Sequence, residues 1–131
     1  MKKIFTLLAL TLTFSMNAQV STNSTSPTGI YASAMGNGTT ASGNESTAMG
    51  YDTTASAEAS TAMGYSTTAS GEISTAMGRS TTASGNYSTA SGYYTTATDY
   101  ASTVIGQYNS SGSSATSVYS FSTSAPAFVI G

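Results

Sequence analysis

Residues 60–73, STAMGYSTTASGEI, are the unit from which this chain is built: shifted by 14 residues, the pattern falls on itself again. Gly36, Gly50, Gly64, Gly78, Gly92 and Gly106 share one phase. Met35, Met49, Met63, Met77, Ser91 and Ile105 precede them, and Ala34, Ala48, Ala62, Ala76, Ala90 and Val104 stand one place earlier. A second glycine recurs half a unit later as Gly43, Gly71 and Gly85, with Ala57 and Asp99 in the same slot. A period this short sets the architecture before local propensity does, because each unit must cover its apolar side with its neighbours.

Each unit divides into two similar halves of seven, Ser-Thr-Ala-Met-Gly-x-x and Thr-Thr-Ala-Ser-Gly-x-x. A coiled coil has the same period, but it needs large apolar residues at two positions per heptad and tolerates few glycines. Thr and Ser around a recurring glycine favour strands and turns. Two short strands and two turns per unit therefore predict an all-β fold, a narrow parallel β-solenoid whose coils hydrogen-bond to each other about 4.8 Å apart. The glycines from Gly36 to Gly106 are expected to mark structural turns.

Side chains alternate along a strand, and this assigns the faces. In the unit from Ser60, Thr61 and Met63 point one way, and Ser60, Ala62 and Gly64 the other. In its second half Thr68 and Ser70 oppose Thr67, Ala69 and Gly71. Facing alanine rows would give a very thin core, with methionines outside on one face and the Thr-x-Ser row outside on the other. The reverse, Met63 inward over Ser70, also satisfies the alternation. Alanines inward are favoured because that choice avoids burying a whole row of hydroxyls. It leaves Met35, Met49, Met63, Met77 and Ile105 as an outer apolar stripe on a chain with little core, a candidate subunit interface. The variable residues gather in the bends: Tyr51, Tyr65, Tyr93 and Tyr94 at one, Glu58, Glu72, Tyr87 and Tyr100 at the other. Bends are a common place for ligand contacts.

The Ser-Thr-Ala-Met-Gly and Ser-Thr-Val-Ile-Gly segments, each followed seven residues later by a small residue, resemble the head repeats of trimeric autotransporter adhesins, the YadA-like or Hep_Hag repeat. The resemblance covers about residues 32–106. It implies a left-handed parallel β-roll, assembly as a homotrimer, and binding to an extracellular-matrix or cell-surface protein or glycan. The chain departs from the family in carrying Met where Ile is commoner and Thr where Val is commoner. Those changes leave the roll plausible and bear on the ligand.

Ahead of the array, residues 1–18 read as a signal peptide: Lys2 and Lys3, an apolar run over residues 4–14, and the Met16-Asn17-Ala18 exit. Cleavage is expected near Ala18, which with the resemblance places the chain outside the cell or on a bacterial outer membrane. Residues 19–31 are a polar lead-in or cap, and residues 32–107 are the head repeats. Residues 108–131 are a Ser-rich segment ending in Val129-Ile130-Gly131, which matches Val104-Ile105-Gly106 and starts a further, truncated coil. These residues contain neither the heptads of a stalk nor the strands of a barrel. The chain therefore reads as a fragment, or as a protein exported by another route.

Composition narrows the function. The whole chain has a formal net charge of −2. After cleavage Arg79 would be its one base against Glu45, Asp52, Glu58, Glu72 and Asp99, so no basic patch exists for nucleic acid or anionic lipid. His and Cys are absent, which removes the commonest general base, the thiol nucleophile and the usual transition-metal ligands. Neither an enzyme, a cofactor nor a small-molecule substrate is expected. Asp52 and Asp99 are too sparse for a calcium ladder. The Asn-x-Ser/Thr matches at Asn23, Asn37, Asn44, Asn86 and Asn109 follow from composition.

Two features stay open. The tyrosines at one bend form either an aromatic strip for protein or glycan contact or a stack that only braces neighbouring coils. The Thr-x-Ser rows, Thr40/Ser42, Thr54/Ser56, Thr68/Ser70, Thr82/Ser84 and Thr96/Thr98, are similar to the hydroxyl ranks of β-solenoid ice-binding (antifreeze) proteins. That is the alternative function. A disordered, mucin-like Ser/Thr chain is a third reading.

Overall fold

Short parallel strands, two in each repeat, account for the regular structure of residues 22–109 and 128–130, which are those described by the computed structural model. The signal peptide expected over residues 1–18 lies outside the described residues. In chain order the strands are β1 (Thr22–Asn23), β2 (Ser26–Pro27), β3 (Ser33–Asn37), β4 (Thr40–Ala41), β5 (Thr47–Tyr51), β6 (Thr54–Ala55), β7 (Thr61–Tyr65) and β8 (Thr68–Ala69). They continue with β9 (Thr75–Arg79), β10 (Thr82–Ala83), β11 (Thr89–Tyr93), β12 (Thr96–Ala97), β13 (Thr103–Gln107) and β14 (Phe128–Ile130).

Each strand pairs in parallel with its equivalent one repeat away. Eight strands form one sheet in the order β1-β3-β5-β7-β9-β11-β13-β14, and six short ones form a second in the order β12-β10-β8-β6-β4-β2. Register follows the sequence period: Ala62 pairs with Ala76 and Met63 with Met77, as Thr68 pairs with Thr82. This is a parallel β-solenoid in which identical side chains stack in rows. The lead-in joins it, because β1 and β2 pair with β3 and β4. At the other end β14 pairs with β13, setting Val129 beside Val104 and Ile130 beside Ile105.

The alanines point inward. Ala48, Ala62, Ala76 and Ala90 from the long strands and Ala41, Ala55, Ala69 and Ala83 from the short ones are completely buried, and Val104 closes the row. Met63 inward over Ser70 is thereby excluded. The hydroxyls are not kept out, however. Thr39, Thr53, Thr67, Thr81 and Thr95, just ahead of the short strands, are buried, as are Ser46, Ser60, Ser74, Ser88 and Ser102 ahead of the long ones. Each stands two residues ahead of an inward alanine or Val104, on the side that alternation assigns to the core, so turning the alanines inward brings these hydroxyls with them.

The two rows of hydroxyls differ in energy, with Ser88, whose buried Oγ has no protein partner, the exception in the serine row. Ser46 Oγ donates to the Gly43 carbonyl and Ser60 Oγ to the Ala57 carbonyl, both at 2.7 Å, bracing the preceding bend. The Oγ1 atoms of Thr39, Thr53, Thr67, Thr81 and Thr95 have no protein partner. A buried hydroxyl without a partner costs about 1–3 kcal/mol, and the isosteric Val removes that cost while keeping the shape. Thr67→Val is therefore expected to raise stability by about 1 kcal/mol, and Ser60→Ala to lower it by about 1 kcal/mol. Thermal unfolding of the two variants checks the opposite signs.

The Gly36 series does not make the turns. Gly36, Gly50, Gly64, Gly78, Gly92 and Gly106 are penultimate residues of the long strands, with φ between +116° and +134°. A Cβ on Gly64 would run into the carbonyl oxygen of Gly78 in the next coil, so close backbone approach, not a bend, demands glycine there. The bends come two residues later, at Gly38, Asp52, Ser66, Ser80, Tyr94 and Tyr108, all left-handed with φ of 50–65°. The opposite bends use Glu45, Ala59, Ile73, Tyr87 and Ala101 in the same conformation.

Asn109 finishes the short-strand sheet among the described residues. Its Oδ1 accepts the Thr96 N–H at 2.7 Å and its Nδ2 donates to the Thr96 carbonyl at 2.9 Å, so a side-chain amide stands where a further strand would pair.

Candidate functional site

Because the register repeats, anything that recurs in one phase becomes a continuous row on the surface. Two rows stand out. On the outer face of the long-strand sheet Met35, Met49, Met63 and Met77 are successive register partners, Ser91 interrupts them, and Ile105 and Ile130 resume the row. Met35, Met49 and Met77 are half-buried, while Met63 and Ile105 are exposed at 37% and 45%. The candidate interface residues thus share one face, facing away from the alanine core.

The second row follows the ends of the long strands. Tyr51 pairs with Tyr65, Tyr65 with Arg79, and Arg79 with Tyr93. The rings of Tyr51 and Tyr65 stack with centroids 5.0 Å apart and planes 8° from parallel. The Arg79 guanidinium carbon lies 5.4 Å from the Tyr65 ring centre and 5.5 Å from that of Tyr93, within cation–π range of both. Tyr93 meets Tyr94 and Tyr108 edge-on, and Tyr94 stacks on Tyr108 at 5.3 Å. All four candidate contact tyrosines, Tyr51, Tyr65, Tyr93 and Tyr94, belong to this edge.

Arg79 and Tyr108 complete the edge, and the sequence reading passed over both. Phase alone would have found them, since Arg79 stands 14 residues from both Tyr65 and Tyr93, and Tyr108 stands 14 from Tyr94. Tyr108 is held above the ordinary tyrosine pKa of 10, first by a hydrogen bond with Tyr93, then by desolvation and the neighbouring phenols. The folded chain keeps this proton more tightly than the unfolded chain. The stabilisation is thus present below pH 10 and fades as pH rises through the folded value. Spectrophotometric titration should show a late-ionising tyrosine, and Tyr93→Phe should bring it back toward 10.

The opposite bend is organised by amides and acids. Asn86 Oδ1 accepts the Glu72 N–H at 3.0 Å, and its Nδ2 reaches Glu72 Oε2 at 3.3 Å. Asn44 Oδ1 holds the Ile30 N–H in the same way, and Tyr87 meets Tyr100 edge-on at 5.2 Å. Among the described residues no cluster of three or more His, Cys, Asp and Glu is placed to hold a metal ion.

A thin parallel roll of stacked 14-residue coils, presenting its side chains in continuous surface rows, defines a β-solenoid repeat protein. The YadA head domain repeat, in its two-copy form, matches residues 28–53, 55–81, 69–95 and 83–109, which is more than half of the chain. The chain belongs to that family of adhesin heads. An adhesin-type role and a secreted or surface-exposed position go with membership, and the family is non-enzymatic in kind. Comparison with curated proteins finds no match.

Proposed function

We propose that this chain is the exported head of an adhesin that trimerises and attaches a bacterial surface to extracellular matrix or to host-cell proteins or glycans. Membership of the YadA head family over residues 28–109 is the observation that carries this reading. Export would follow cleavage of residues 1–18 near Ala18. The methionine row, with Ile105, forms the contact between three copies, and the tyrosine edge meets the ligand. The mechanism is multivalency: three aligned heads, repeated over a cell surface, convert modest single-site affinity into firm attachment.

The test couples mass to adhesion. Light scattering of the full chain after export should give three chains per particle, and beads coated with it should bind matrix proteins or cultured cells above uncoated beads. A folded monomer that adheres to neither would overturn the reading. The alternative has one observation behind it: the short-strand sheet sets Thr54/Ser56 and Thr68/Ser70 outward in regular parallel register. Thermal hysteresis and ice-crystal shaping by the same sample would move the function to ice binding.

A further inference from the structure

Arg79 is the sole cation among the described residues and forms no ion pair with any of them. It is exposed, yet held between two rings, those of Tyr65 and Tyr93. A guanidinium fixed this way loses little further freedom on binding, and its N–H groups only donate. The acids Glu45, Glu58, Glu72 and Asp99 belong to the opposite bend, and Asp52, the acid on this edge, stands beside Tyr51, two coils from Arg79. In the coils flanking Arg79 the same bend carries only Tyr65, Ser66, Tyr93 and Tyr94, so nothing there neutralises it.

The surroundings limit the kind of anion carrier. An extended peptide would add itself through backbone hydrogen bonds, but this edge has committed its backbone. Ser66 donates to Tyr51, Ser80 to Tyr65, Tyr94 to Arg79 and Tyr108 to Tyr93, all at 2.8–3.0 Å. Tyr51 and Tyr65 cover one another's faces, leaving ring edges and hydroxyls as the contact surface. Hydroxyls repeating once per coil on both sides of one fixed cation suit a polymer that offers hydroxyls ring after ring and a charge on one of them.

We propose that the Tyr65–Arg79–Tyr93 edge binds an acidic glycan, with Arg79 donating to a carboxylate or sulfate on one sugar and the flanking phenols bonding the neighbouring sugars. This rests on the adhesin reading and names the ligand class for its tyrosine edge. Carboxylate and sulfate share the oxyanion chemistry that a guanidinium pairs with in two parallel bonds.

The experiment uses the full chain on an array of three acidic probe sets, sialylated, uronate-containing and sulfated oligosaccharides, each beside its neutral counterpart. At least one acidic set should bind tenfold or more above its neutral counterpart, and which set does so identifies the anion. Arg79→Gln should lose at least tenfold with unchanged mass and circular dichroism, and Arg79→Lys should fall between, because an ammonium keeps the charge without the fork. Equal binding of neutral probes, loss of less than twofold in Arg79→Gln, or dissociation of the assembly by that variant would overturn the proposal. If the chain adheres to cells or matrix while binding no acidic probe, the glycan proposal fails and the adhesin reading stands. If it adheres to nothing, both fail.

Discussion

Gly64→Val is expected to abolish the folded roll, seen as loss of the β-sheet circular-dichroism signal at temperatures where the parent chain is folded. Gly64 has φ of +126°, a region closed to β-branched residues, and its missing Cβ leaves room for the Gly78 carbonyl oxygen. Val cannot relieve either problem by rotating its side chain, because the obstruction is backbone. Moving that backbone breaks the pairing of β7 with β9, and in a solenoid each coil is held only by its neighbours. Strain and lost pairing together exceed about 4 kcal/mol, most of the stability of a small domain. Ser70→Val, on an exposed residue of the same unit, serves as the control and should unfold within a few degrees of the parent. A Gly64→Val chain that melts with the parent would show that the strand glycine is not needed for coil approach.

The same glycine shows where sequence reading reaches its limit. Period, fold class and the inward alanine rows are all legible because translation along the axis copies every side chain into a row. A spacing in the sequence is therefore a spacing in the solid. What periodicity cannot express is the backbone conformation inside one period. Glycine at Gly64 suggested a turn, whereas the true bends fall at Ser66 and Ile73, residues whose side chains give no sign of a positive φ. The alternation rule itself holds: it sets Ser60 beside Ala62 and Thr67 beside Ala69, and all four are buried. What fails is the reason for turning the alanines inward, since that choice buries two rows of hydroxyls instead of avoiding one. Of the tyrosine edge, Tyr51, Tyr65, Tyr93 and Tyr94 were visible as variable residues at one bend, and Tyr108 was not. Arg79 was missed because it read as the lone base of an acidic chain, when its meaning lies in standing between two tyrosines.

The thin core makes assembly the remaining question of stability, and the methionine face is where it can be tested. Alanine methyls bury little area per coil, and at about 25 cal/mol per Å² they contribute correspondingly little to holding the roll. The outer row of Met35, Met49, Met63, Met77 and Ile105 is the larger apolar surface, and covering it with other copies is the gain a proposed trimer offers. Met49 and Met63 are register partners, so Asp at both would set carboxylates side by side in each chain and bring all such pairs together across the interface. Burying unpaired charge costs several kcal/mol per group, far beyond what the lost thioethers contributed. The Met49→Asp, Met63→Asp double variant is accordingly expected to sediment as single chains at concentrations where the parent is trimeric. Ser56→Asp with Ser70→Asp adds the same charge to the opposite sheet, where both serines are exposed, and should leave the assembly intact. Trimers that survive the methionine changes and fall apart with the serine changes would transfer the interface to the short-strand sheet. That outcome would also leave the methionine row facing solvent and open to a ligand.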